Sequence, residues 1–354
     1  MHSLLSLLKN SKRPVIVAGG GIRLADAVED FRDLIAEKEI PVVSTLMGID
    51  LLEAKDFSYM GHAGTKGQRS ANMVVQEADL IISIGSRLCI SFVGHDPRQF
   101  APQAKKIVVD VDRNEHSKKT IKIDLFLKTD AKEFINKLRK LKYPQVDYNW
   151  QRRCIILKSK YFNFNETPMY RAVTKITELS KPGDVYTTGS GVTAFAVAQT
   201  IRIKKNQRSI IPGTLTMGYG LCAAIGVWAA NPKAQTIAII GDGSLQLNIQ
   251  ELQTIVHHKI PAKIFVINNE GYLAIRTTQK NNFGNFIGES KDSGISFPNT
   301  KKIAKAYNIH YTNSIKVAMK YDDTVICEIF TPKWQPHLTV MFGKPNSEMF
   351  PPIK

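Results

Sequence analysis

Short apolar runs that end on or near glycine alternate with amphipathic stretches along most of this chain. Pro14-Val-Ile-Val-Ala18 runs into Gly19-Gly20-Gly21, Pro41 to Thr45 follows, Leu80 to Ile84 ends on Gly85, and Ile107 to Val111 makes a fourth run. Between them, Ala25 to Glu37 and Ser70 to Glu77 carry helical spacing. Strands that are apolar on both faces belong in parallel sheets covered by helices on each side. The second half repeats the alternation: a helical Tyr170 to Leu179, a turn at Lys181-Pro182-Gly183-Asp184, and a run Val185 to Thr188 ending on Gly189-Ser190-Gly191. Thr236 to Ile240 then ends on Gly241, Ile249 to His258 reads as a helix, and Ala262 to Ile267 as another buried strand. From about Asn136 to Glu166 the pattern breaks into basic and aromatic residues, with Pro144 and Pro168 near its ends. The expectation is an α/β protein of two doubly wound domains with mainly parallel sheets, residues 1–140 and 168–354, joined by a connector at 141–167. No internal repeat or low-complexity tract interrupts it.

Candidate chemistry gathers at two strand ends of the second half. Gly241-Asp242-Gly243-Ser244 closes one run and Asn268-Asn269 the next, with Asp242 and Asn269 27 positions apart. One strand–helix–strand unit fits that spacing, so both residues are expected at the carboxyl ends of neighbouring parallel strands, where open α/β sheets bind ligands. A carboxylate, an amide oxygen and a backbone carbonyl near Gly271 make a hard-oxygen set that suits magnesium and leaves coordination positions for phosphate oxygens. Gly243 lets the backbone come close to a diphosphate, and a helix opening after Ser244 turns its free N–H groups toward it. Either half alone is more simply a tight turn; the two together at this spacing favour a magnesium-diphosphate clamp. The glycine turn after Ala18 is a weaker sign, because Leu24 stands where the third glycine of a dinucleotide fingerprint belongs.

Composition narrows the picture without redirecting it. At 354 residues, 43% hydrophobic and 22% charged, the chain has the makeup of a globular protein large enough for two cores. Lys and Arg outnumber Asp and Glu by 48 to 31, a net charge of +17, which raises nucleic-acid binding as an alternative. The basic pairs Lys118-Lys119, Lys204-Lys205 and Lys301-Lys302 are scattered and not interleaved with aromatics, so a solvated lysine-rich surface that attracts anionic ligands is preferred. Four separated cysteines form no Cys-x-x-Cys pair, consistent with a reducing, cytoplasmic setting. The first residues make a poor signal peptide, and the longest apolar stretch, near Leu221 to Ala230, is too short to span a bilayer.

Thr216-Met217-Gly218-Tyr219-Gly220-Leu221, Ala223-Ala224-Ile225-Gly226, Gly241-Asp242-Gly243-Ser244, Asn248 to Leu252 and Asn268-Asn269-Glu270-Gly271-Tyr272 together resemble the diphosphate-binding domain of thiamine-diphosphate enzymes, in particular the acetolactate synthase-like group. The first half resembles that family's central domain through Arg13-Pro14, Pro41 to Leu46, Ala78 to Ile82 and Gly85-Ser86-Arg87. The resemblance implies thiamine diphosphate and Mg²⁺ as cofactors, with Asp242, Asn269 and the Gly271 carbonyl on the metal. Gly241, Gly243 and Ser244 would hold the diphosphate, and Gly189, Ser190 and Gly191 would form its second loop. Thr216 and Met217 would line the thiamine, Met217 as the bulky residue that bends the cofactor.

The same resemblance implies decarboxylation of a 2-oxo acid such as pyruvate, followed by transfer or protonation of the remaining fragment. It also implies a homo-oligomer, or a partner chain supplying a pyrimidine-binding domain, because the glutamate that activates the cofactor lies in an N-terminal domain that this chain does not match. Glu37, Glu39 and Glu53 sit outside that residue's motif. Val192 and Thr193 stand in place of a Gln-His pair, and Thr278 in place of a substrate-site tryptophan. For FAD in the first domain the resemblance points both ways: Gly19 to Gly21, Thr45, Leu46, His62, Gly85, Ser86, Arg87 and Asp110 fall near family flavin contacts, while Cys89 and Ser91 replace charged residues. Two rival readings remain: a catalytically silent cofactor-binding scaffold, and a nucleic-acid-binding protein built on an enzyme fold.

Overall fold

A computed structural model describes residues 2–118, 121–161, 167–335 and the four strand residues 340, 341, 349 and 350. The chain divides into two compact units, Met1–Asn163 with Leu338–Lys354, and Phe164–His337. Each contains one six-stranded sheet in which every pairing is parallel.

In the first unit the strands are β1 (Pro14–Ala18), β2 (Val42–Ser44), β3 (Tyr59–His62), β4 (Leu80–Ile84), β5 (Lys105–Asp110) and β6 (Leu125–Lys128), in the order β3-β2-β1-β4-β5-β6. Successive side chains of a strand point to opposite faces, and the cores follow that alternation. Ile16, Ala18, Val42, Ile82, Ile84, Ile107 and Val109 join one cluster, with Phe31, Leu34 and Ile35 of helix Val28–Lys38 and Phe134, Ile135 and Leu138 of helix Ala131–Lys140. Val15, Val17, Val43, Ile81 and Val108 join the other, with Val74 and Val75 of helix Arg69–Glu77. Apolar residues at both parities of the strands thus require helices on both faces.

Two sequence expectations change here. The stretch from Asn136 onward is not pattern-free, because helix Ala131–Lys140 runs into it and Tyr148–Tyr161 forms a further helix. That helix buries Trp150, Cys154 and Leu157, spaced by four and three along one face, and Trp150 Nε1 donates to the Pro14 carbonyl at 3.0 Å. Its many Lys and Arg residues occupy the solvent side and hide the apolar stripe in a composition reading. The helix expected from Ala25 starts at Val28, because Asp26 takes a left-handed conformation.

The second unit holds β7 (Val185–Thr187), β8 (Arg208–Ile210), β9 (Thr236–Gly241), β10 (Lys263–Asn268), β11 (His310–Thr312) and β12 (Val325–Phe330), in the order β11-β12-β10-β9-β7-β8. Ile240, Ile264, Val266 and Ile326 pack on one face with Leu252 and Ile255 of helix Glu251–His257 and Leu221 of helix Tyr219–Ala230. The chain leaves β7 for the edge strand β8 and returns to β9 on the far side of β7. That reversal opens a crevice at the carboxyl ends of β7 and β9, the place where sheets of this kind receive ligands. The glycine-rich sequences after both strands lie there.

Candidate functional site

β9 and β10 are adjacent and parallel, pairing Ile240 with Val266 and Gly241 with Ile267, so the residues that follow them emerge side by side. Asp242 is the first residue of a short helix, Asp242–Leu247, which begins ahead of Ser244 and not after it as the sequence suggested. Gly243 and Ser244 therefore lie inside the first turn, not ahead of it. The Asp242 carboxylate is bound on both oxygens: Oδ1 accepts from Gly243 N at 2.8 Å, and Oδ2 from Asn269 N at 3.2 Å and Gly271 N at 3.1 Å. These three backbone donors tie the end of β9 to the turn after β10. Asp242 is only 8% exposed, and burial pushes its carboxyl up to about 6 against the opposing pull of the backbone donors.

Asn269 completes the pair. Its side chain is buried, and its Oδ1 accepts no hydrogen bond among the described residues. An acceptor in that state costs on the order of 1–3 kcal/mol unless something polar or charged meets it. A buried carboxylate beside a buried unmet amide oxygen fits a hard cation. The turn that holds Asn269 is tight. Glu270 and Gly271 both have positive φ, +59° and +143°, and a Cβ on Gly271 would lie 2.0 Å from the Glu289 carbonyl.

The remaining predicted residues surround this pair. Gly243 lies under the Tyr272 ring, whose Cε1 would be 2.2 Å from any added Cβ, and Tyr272 in turn meets Phe297 edge-on at 5.1 Å. Gly189 packs against the Thr216 carbonyl, 3.0 Å from where its Cβ would be. Ser190 is the half-buried N-cap residue of helix Gly191–Thr200 but makes no side-chain cap bond. Ser244 is buried, Thr216 exposed and Met217 half-buried at the turn before helix Tyr219–Ala230. Val192 and Thr193 are buried, with Thr193 Oγ1 lying 3.5 Å from a Cβ built on Gly241. Thr278 is a helical residue whose hydroxyl bonds back to the Ala274 carbonyl at 3.0 Å.

Sequence reasoning missed the residues that hold the Asn268–Gly271 turn from behind. Arg276 is fully buried; it pairs with Glu289 and donates to the carbonyls of Glu270 at 3.0 Å, Asn269 at 3.3 Å and Lys333. Glu328, on β12, accepts from Asn268 Nδ2 at 2.7 Å, Thr300 Oγ1 at 2.8 Å and the Tyr311 hydroxyl at 2.6 Å. Asn268 Oδ1 then receives the N–H of Glu270 at 3.0 Å. A charged residue inside the apolar run Val325 to Phe330 was the available sign of Glu328; Arg276 left no comparable mark, since helices commonly carry exposed Arg.

The two glycine-rich ends of the first unit close on one another. Gly21 N donates to the Gly85 carbonyl at 2.9 Å, and a Cβ on Gly19 would lie 2.1 Å from that same oxygen. Arg87 pairs with Glu115 at 3.1 Å, and Asp110 Oδ2 meets His116 Nε2 at 3.1 Å. Close packing of β1 and β4 is sufficient reason for these glycines.

Two family profiles match the chain: "Thiamine pyrophosphate enzyme, central domain" over residues 1–138, and "Thiamine pyrophosphate enzyme, C-terminal TPP binding domain" over residues 189–328. The second encloses Asp242, Asn269 and the whole crevice. The chain belongs to the thiamine pyrophosphate enzyme family. Within it, the chain is similar to the acetolactate synthase large subunit of Lactococcus lactis subsp. lactis, with 32% identity over 320 residues, which cover 88% of this chain and 55% of that protein. The large subunit of Porphyra purpurea is 31% identical over 364 residues, covering 97% of this chain and 61% of its own length. Acetolactate synthase isozyme 2 large subunit of Escherichia coli (strain K12) is 32% identical over 311 residues, covering 86% and 55%. This thiamine pyrophosphate family chain thus spans little more than half the length of these relatives, in its central and cofactor-binding domains. No helix among the described residues is long and apolar enough to cross a membrane.

Proposed function

We propose that this chain binds thiamine diphosphate through Mg²⁺ at the Asp242–Asn269 pair and forms the central and cofactor-binding parts of an acetolactate synthase-like enzyme acting on a 2-oxo acid. The observation that carries the reading is the unmet Oδ1 of buried Asn269 beside the buried carboxylate of Asp242, at the end of neighbouring parallel strands. Asp242, Asn269 and the Gly271 carbonyl would hold the metal. Ser244, with Ser190 and Gly191 at the end of β7, would meet phosphate oxygens.

When bound, thiamine diphosphate supplies a nucleophilic carbon that stabilises the charge left by decarboxylation. The chain's own part is binding and orientation. Asp242 brings negative charge to the cation, the Tyr272 ring covering Gly243 keeps water from that side, and Met217 would bear on the thiamine rings. The glutamate that activates the cofactor in this family would come from a pyrimidine-binding domain on a partner chain or on another part of the same protein.

Calorimetric titration with thiamine diphosphate, with and without magnesium, tests the reading. Binding is expected only with the metal, and Asp242→Ala should abolish it. Equal binding by both proteins, or tight binding without a divalent cation, would sink the assignment. Steeply salt-dependent binding of duplex DNA that survives the same substitution would favour the nucleic-acid alternative instead.

A further inference from the structure

The turn that carries Asn269 is strained and has an unusual support. Glu270 sits at φ +59°, a left-handed conformation unfavourable for a residue with a side chain, and Gly271 follows at +143°. Such conformations persist where the surroundings over-determine them. Here the carbonyls of Asn269 and Glu270 both point at one guanidinium, that of Arg276, which makes four hydrogen bonds and has no exposed surface. Its counter-charge, Glu289, is 4% exposed and is itself oriented by Ser290 Oγ at 2.6 Å; the Glu289 carbonyl accepts from Tyr272 N at 2.8 Å, just past the turn. Trp334 lies over the Arg276 guanidinium at 5.6 Å.

Burying such an ion pair returns little net stability compared with apolar residues of the same volume. What this pair does have is aim: one planar fork holds two consecutive carbonyls, and with them the two peptide units between Asn269 and Gly271. Those units place the Cα atoms from which the Asn269 side chain and the Gly271 carbonyl project. We infer that Arg276, oriented by Glu289, is a positioning residue that sets the cation affinity of the Asp242–Asn269 site without touching the cation. The inference rests on the magnesium-diphosphate reading above and assigns to it a control element outside the ligand set. Residues that orient metal ligands from behind typically change affinity by about 10–100-fold when replaced.

The test is calorimetric titration of the full chain with Mg²⁺ at saturating thiamine diphosphate, for the unmodified protein, Arg276→Lys, Arg276→Gln and Glu289→Gln. Circular dichroism checks that each variant is folded; Glu289→Gln keeps the shape and one acceptor, so it serves if an Arg276 variant fails to fold. The magnesium concentration for half-saturation should rise about tenfold or more in Glu289→Gln and Arg276→Gln, with Arg276→Lys between them and the unmodified chain. In an Asn269→Ala background Arg276→Gln should add less than it costs alone, because part of its effect runs through the missing ligand; a merely structural role would add in full. Folded variants with unchanged magnesium dependence, or full additivity in that background, would overturn the inference and leave the proposed function standing. No magnesium-dependent binding by the unmodified chain would overturn both.

Discussion

Asp242 places two demands on one carboxylate. It accepts three backbone N–H groups that hold two strand ends together, and under the proposed function it would also offer charge to a cation. Burial dominates its protonation and holds it near 6, above the usual carboxylate range. The folded chain therefore keeps a proton that the unfolded chain releases between about pH 4 and 6, so in the metal-free protein this group's contribution to stability is present below that window and lost as pH rises through it. A cation competes for the same oxygens and reverses the preference. Magnesium affinity should then be about tenfold weaker at pH 5 than at pH 7 and level above pH 7, as read by titration at fixed ionic strength. A flat profile between pH 5 and 7 would show that Asp242 is already ionised in the metal-free site. Asp242 and Asn269 were legible in the sequence because their spacing matches one strand–helix–strand unit. Arg276 was not, because what matters about it is burial and aim, which have no sequence period; Glu328 left only the sign of a charge inside an apolar run.

At the scale of elements, the site is two turns at the ends of parallel strands, each shaped by a glycine for a steric reason. Gly271 has no room for a side chain beside the Glu289 carbonyl and has a φ that other residues avoid. Gly271→Ala should cost about 1–3 kcal/mol in denaturant unfolding and abolish magnesium-dependent binding. A variant of unchanged stability that still binds would mean that the turn can open without loss. Strand positions were legible from apolar runs, since a parallel strand covered on both faces has no polar alternation to obscure it. The short edge strands Tyr59–His62, Arg208–Ile210 and His310–Thr312 left no such run, and their existence depends on a neighbour to pair with. The helix at Asp242 begins earlier than expected because the aspartate satisfies the N–H of Gly243 itself, a bond that only the folded backbone defines.

Across the whole molecule, each unit has its own sheet and its own core, and only the second contains the proposed cofactor site. The three tryptophans are divided usefully: Trp150 lies in the core of the first unit, Trp228 and Trp334 in the second. Thiamine diphosphate with magnesium stabilises whatever binds it by mass action. In variants that keep a single tryptophan, thermal unfolding followed at Trp228 should move up by several degrees with the ligands, and less when followed at Trp150. Equal shifts would show that the two units melt as one. The net charge of +17 acts at this scale too, drawing a polyanionic cofactor toward the protein without choosing where it lands.

The sequence by itself determined the α/β class and the parallel strand ends at which Asp242 and Asn269 stand, because periodicity and spacing are local properties that survive without neighbours. Strand order, the crevice between β7 and β9, the unmet oxygen of Asn269 and the buried ion pair behind it were decided only by tertiary structure. Each of these depends on which distant groups share a desolvated space, and a hydrogen bond left unmade or a charge buried intact has an energy only once water has been removed from around it.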